Sequence, residues 1–120
     1  MLCSGEETDD RLIGIYQNGV VSLSRSLWPR IYERGNCSVV YVALRSGNPT
    51  GPLERASSEA LGGLMRVAAA EGGIKNIRAN MIVTDGKNPE GLADAAVFFA
   101  CGMSSYISGV TLNIDGCFGA

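Results

Sequence analysis

The chain has 120 residues, 46% hydrophobic and 18% charged, which fits one globular domain spanning residues 1–120. Its net charge of -2 leaves no basic footprint for nucleic acid or an anionic membrane. The absence of histidine removes the commonest general base and the commonest metal ligand.

The N-terminus, M-L-C-S-G-E-E-T-D-D, has neither the basic region nor the apolar core of a signal peptide. No apolar run approaches the roughly 20 residues of a membrane span, so the expected location is the cytoplasm. Met1–Gly5 reads as the stub of a strand, and the acidic run Glu6–Asp10 suits a helix N-terminus through the dipole. A first helix is predicted over about Asp9–Glu33. It has one apolar stripe of Tyr16, Val20, Leu23, Leu27 and Ile31, and a second of Val21, Trp28 and Tyr32. Pro29 should kink it, and Gly35 and Asn36 stop it. The run Val39-Val40-Tyr41-Val42-Ala43-Leu44 lacks alternation, as expected of a parallel strand covered on both faces. Gly47, Pro49, Gly51 and Pro52 then break regular structure.

A long helix follows, over about Glu54–Glu71. Leu61, Leu64, Met65 and Ala68 form one stripe suited to the chain's own sheet. Ala56, Ala60, Gly63, Val67 and Ala70 form another, whose small residues would let a second helix approach closely. The alternative is a helix wholly inside one core. Gly72 and Gly73 end the helix, and Ile77–Val83 reads as a second parallel strand. A third helix is expected over about Glu90–Cys101. The four cysteines, Cys3, Cys37, Cys101 and Cys117, have no C-x-x-C spacing, so no metal site is expected. Cys37 beside a strand and Cys101 in an apolar helix read as small buried hydrophobes.

Several segments together resemble the second half of a short-chain dehydrogenase/reductase domain of the 3-oxoacyl-ACP-reductase kind. The closing A-D-A-A-V-F-F-A-C-G-M-S-S-Y-I-S-G-V-T-L-N-I-D-G is similar to that family's A-x-x-V-x-F-L-x-S-x-x-S-x-Y-I-T-G-x-x-L-x-V-D-G. I-R-A-N-M-I-V-T-D resembles its I-R-V-N-x-V-x-P-G, and S-V-V-Y-V-A-L-R-S-G its I-V-N-I-S-S-x-x-G. The resemblance implies a truncated Rossmann-like α/β fold, half of a doubly wound parallel sheet. About three parallel strands and three main helices are expected. It also implies that the family's cofactor-cradling G-x-x-x-G-x-G turn lies outside the matched half.

The resemblance carries the scaffold without the chemistry. The family's tetrad of Asn, Ser, Tyr and Lys falls on Tyr16, Leu44, Arg55 and Glu59, so no catalytic residue is expected. The Pro-Gly against the nicotinamide falls on Thr84 and Asp85, where a carboxylate does nothing to favour a nucleotide, and no cofactor is expected. Arg55 and Glu59, four apart on a helix, are placed to pair with each other. An Arg/Glu site repurposed to bind a small molecule is the sharper alternative. In the family the corresponding helices assemble subunits, which implies interface positions Val20, Leu27, Trp28, Ala60, Gly63, Val67 and Ala70.

The leading expectation is an inactive, oligomerising structural or regulatory pseudo-subunit, as a homo-oligomer or beside a full-length reductase. The alternative is an NAD(P)-dependent oxidoreductase fragment or subunit that relies on a partner for cofactor binding.

Overall fold

Two runs of seven residues rich in β-branched and apolar side chains, each entered through an asparagine turn, become the paired strands at the centre of the fold. The computed structural model describes residues 11, 13–45 and 52–116. The expected strand stub at Met1–Gly5, the acidic run to Asp10 and the loop glycines Gly47 and Gly51 lie outside the described residues. Strand β1 is Ser38–Leu44, β2 is Arg78–Thr84 and β3 is Thr111–Ile114. They form one parallel sheet in the order β1-β2-β3. The helices are α1 (Val20–Arg34), α2 (Pro52–Gly72) and α3 (Pro89–Ala100). The α/β class and the parallel strands follow the sequence reading.

Odd-numbered strand residues face one layer and even-numbered residues the other, as strand geometry requires. On the odd face, Tyr41, Ala43, Met81 and Val83 pack with Leu61, Met65 and Ala68 of α2. The first stripe assigned to that helix therefore lies on the sheet, as expected. On the even face, Ile82 packs with Ala95 and Phe99 of α3, and Val40 and Ile114 flank them. Strand β2 is central and buried along six of its seven residues.

Strand β1 departs from the expectation of cover on both faces. Val42 is 48% exposed and Leu44 is 44% exposed. The cluster under α3 reaches Val40 of this strand and stops there. The unbroken apolar run marks a strand, but it does not say how far a covering helix extends.

The predicted first helix is two pieces. Ile13–Gly19 is wound as a π-helix, and α1 begins at Val20. Each residue of a π turn advances less round the axis than in an α-helix, so the stripe through Tyr16 and Val20 loses its phase. Downstream, Val20 and Trp28 lean on the odd-face core, and Ser24 Oγ lies 3.4 Å from the Tyr41 hydroxyl. Leu23 and Leu27 turn outward, 58% and 45% exposed. The helix continues through Pro29 to Arg34.

The ends of the elements are set by local chemistry. A Cβ on Gly72 would meet Ile77 Cβ at 2.8 Å, so only glycine lets α2 end against β2. Asn88 caps α3, its Oδ1 accepting from the Gly91 amide at 2.9 Å, with Pro89 in the first turn. The other end of α3 is held from outside the helix. Arg78 donates to Phe99 O at 3.0 Å, Ser104 O at 2.8 Å and Ser104 Oγ at 2.8 Å. Cys101 is the C-cap rather than a residue within the helix, and its thiol donates to Phe98 O at 3.4 Å.

Asn36 and Asn76 each stand two residues before a strand, and both have left-handed backbones, with φ of 48° and 56°. The Asn76 amide donates to Asn36 Oδ1 at 2.9 Å, and the Asn36 backbone N–H to Lys75 O at 3.0 Å.

Candidate functional site

In a parallel open sheet the crevice beyond the carboxyl ends of the strands is where side chains from several strands converge. Here those ends are Leu44, Thr84 and Ile114, which share one register row. The chain beyond β2 folds on itself. Thr84 is buried and its Oγ1 accepts from the Gly86 amide at 3.1 Å. Asp85 Oδ1 accepts from the Lys87 amide at 3.0 Å, and its other oxygen lies 3.5 Å from Lys87 Nζ. Gly86 has φ of 78°, and a Cβ there would meet Leu44 Cδ1 at 3.0 Å. Leu44, Thr84 and Asp85 thus lie together at this end of the sheet.

Of the remaining tetrad positions, Arg55 and Glu59 do not join them in a polar cluster. Arg55 and Glu59 are both exposed on α2. The salt bridge among the described residues is Lys87 to Asp85, and none links Arg55 to Glu59. The pairing expected from their spacing is not made. At the water-facing side of a helix it would contribute only about 0.3–0.5 kcal/mol, too little to hold two long side chains together. Tyr16 contributes its backbone to the π-helical turn, and its side chain lies outside the described residues.

Two groups at this end of the sheet escaped the sequence reading. Arg45, one residue past β1, is 8% exposed. Its amide extends the ladder to Thr84 O at 2.8 Å, and Nη2 donates to Asn113 Oδ1 at 3.1 Å. Ser57 of α2 is 1% exposed, and its hydroxyl has no hydrogen-bond partner. Arginine after an apolar run reads as a solvated charge, and serine in a helix reads as surface. Only the odd-face alternation Tyr41, Ala43, Arg45 could have placed the arginine inside.

The positions assigned to an interface divide. Val20 and Trp28 rest on the chain's own core. Leu27, Ala60, Val67 and Ala70 are exposed, Val67 by 54%, and a Cβ built on Gly63 would meet open space outside its own helix backbone. Among the described residues no cluster of three His, Cys, Asp or Glu could hold a metal ion. Nor, among the described residues, is any helix long and apolar enough to cross a membrane.

No family model matches the sequence. A curated relative is the (21S)-21-acetoxyl-apo-melianone synthase SDR of Melia azedarach, 33% identical over 103 residues, covering 83% of this chain and 32% of that protein. Among solved structures, the 3-ketoacyl-(acyl-carrier-protein) reductase of Brucella melitensis complexed with NADH superposes with a TM-score of 0.83 at 25% identity. The match covers 98% of this chain and 60% of that one. This is a chain of the short-chain dehydrogenase/reductase family. A 4-hydroxyisoleucine dehydrogenase complexed with NADH and succinate gives 0.80 at 26% identity, covering 96% of this chain and 60% of that one. The chain therefore spans about a third of the curated relative and 60% of these two solved chains. The short-chain dehydrogenase/reductase likeness accounts for the parallel sheet, its helical layers and the closing motif.

Proposed function

We propose that this chain is a short-chain dehydrogenase/reductase-like subunit without its own hydride chemistry, acting as an oligomerising structural or regulatory partner. The observation that carries the reading is the pairing of a disarmed site with an uncovered helical face. Leu44 offers no polar atom, and the Arg55 guanidinium is a planar set of hydrogen-bond donors with no acceptor, unlike a phenol hydroxyl. Thr84 and Asp85 tie their side chains into the turn beyond β2, and Asp85 is held by Lys87. These residues do not fit a nicotinamide. The outer stripe of α2, with Leu23 and Leu27 of α1, is meanwhile left to solvent within one chain. Exposed apolar side chains gathered on a helix face are what an interaction site requires. The partner is a second copy or a full-length reductase.

Size-exclusion chromatography with light scattering tests the assembly. A dimer or larger species supports the reading, and a stable, well-folded monomer retires the homo-oligomer. Co-expression with a complete reductase then tests the mixed assembly.

A second reading is favoured by coverage. The solved relatives with NADH are longer, and this chain matches 60% of each. In that reading the polypeptide is the fragment or subunit of an NAD(P)-dependent oxidoreductase whose cofactor half comes from elsewhere. Saturable NAD(P)H fluorescence changes with the purified chain, or ketone turnover on adding a partner, would favour it over the first. A cytoplasmic location is part of both readings.

A further inference from the structure

We infer that Arg45 anchors a site for a small oxyanion, a carboxylate or a phosphate, at the carboxyl end of the sheet beneath α2. The placement follows from strand alternation. Tyr41 and Ala43 face α2, and Arg45 is next on that side. Across the sheet, Ala43 pairs with Val83 and Val83 with Asn113, so Asn113 also faces α2. The Arg45–Asn113 hydrogen bond, 3.1 Å long, therefore lies across the end of the central strand.

Among the described residues, that arrangement gives a buried cation a neutral acceptor. A guanidinium carries five N–H donors in a planar fork that matches an oxyanion, and a buried charge is costly until it is paired. Among the described residues no carboxylate is in ion-pair reach of Arg45, the nearby Asp85 being held by Lys87.

Ser57 supplies an independent observation. It stands one turn before Leu61 on the stripe of α2 that covers the odd face. Because α2 starts just after β1 and ends just before β2, its first turns lie over the carboxyl ends of the strands. Ser57 Oγ, 1% exposed and unpartnered, is a buried donor in want of an acceptor at that level. The start of a 21-residue helix adds a partial positive charge there. Asn113 fixes the fork, Arg45 supplies charge and Ser57 a third donor.

The test uses the full chain, with ¹⁵N spectra recorded during titration with inorganic phosphate, with malonate, and with sodium chloride at matched ionic strength. Saturable movement of the Arg45 Nε–Hε and Ser57 amide signals is expected with phosphate or malonate, and which of them acts identifies the anion class. Losing a hydrogen bond to a charged group weakens binding by roughly tenfold or more, so Arg45→Met should lose that much affinity. Asn113→Ala, which keeps the arginine, should weaken it by about threefold to tenfold, and decides the matter if Arg45→Met fails to fold. Equal, unsaturable shifts with chloride, or affinity unchanged in these variants, would overturn the site. Neither result depends on the oligomeric state or on hydride chemistry, so it stands or falls apart from the function proposed above.

Discussion

Replacing Arg78 by alanine should damage the fold more than any other single change at a part-exposed position. The side chain reaches from the start of β2 to the end of α3, where the last helical carbonyls have no partner within the helix. It donates to Phe99 O, Ser104 O and Ser104 Oγ at 2.8–3.0 Å, with a longer contact to Cys101 O at 3.5 Å. Ser104 is fully buried, so its carbonyl would be left without that donor in a place water does not reach. Hydrogen bonds to a charged group contribute about 1.5–3 kcal/mol each and are not additive within one cluster. The loss for Arg78→Ala is therefore about 3–5 kcal/mol. Lysine keeps the charge but not the fork, and Arg78→Lys should recover about half of that loss. Urea unfolding followed by circular dichroism would show the midpoint falling by roughly 1–3 M for the alanine variant. Amide exchange should accelerate first over residues 99–107. If both variants unfold within about 1 kcal/mol of the parent, the clamp contributes little and α3 is held by its apolar face alone.

Other outcomes follow from the same structure. Asn80, fully buried, donates to Ile107 O at 3.0 Å and accepts from the Val110 amide at 3.1 Å. Asn80→Ala strands both groups and should cost about 2–4 kcal/mol by denaturant titration, with β3 losing exchange protection first. Phe99, 1% exposed at the centre of the even-face cluster, should cost about 3–5 kcal/mol as Phe99→Ala, read as a fall in melting temperature. Val67→Lys and Leu27→Glu lie on exposed positions and should leave monomer stability within about 0.5 kcal/mol. If the outer face assembles subunits, the same two changes should shift light-scattering mass to the monomer.

Much of this architecture is legible in the order of the residues. The β-branched run ending at Leu44, the Gly/Pro break and the stripe of Leu61, Met65 and Ala68 dictate a strand and a helix laid on it. The bounds of α2 and α3 agree within two residues because Asn88-Pro89 and Gly72-Gly73 are chemically explicit stops. What escapes depends on contacts between distant segments. No local pattern records that α3 covers Val40 but not Val42. Nothing in Ile13–Gly19 distinguishes wide winding from α winding, although glycines stand at Gly14 and Gly19, five residues apart. The candidate site is legible as a set of positions and illegible as a polar arrangement. Spacing places Arg55 beside Glu59, yet spacing permits a contact without making it worth forming. Arg45 meets its partners, Thr84 on β2 and Asn113 on β3, far along the chain.

The asparagine pair answers a question that the composition of β1 leaves open. A strand with alternating polar and apolar residues tells its neighbour which side is outward, and a slip by one position is then self-correcting. Val39–Leu44 carries no such label, since either side is greasy enough to lie under a helix. Parallel strands also lack a tight hairpin to align them. Asn36 and Asn76, meeting at equal offsets before Ser38 and Arg78, supply the missing frame mark, so that Tyr41 rather than Val42 faces α2.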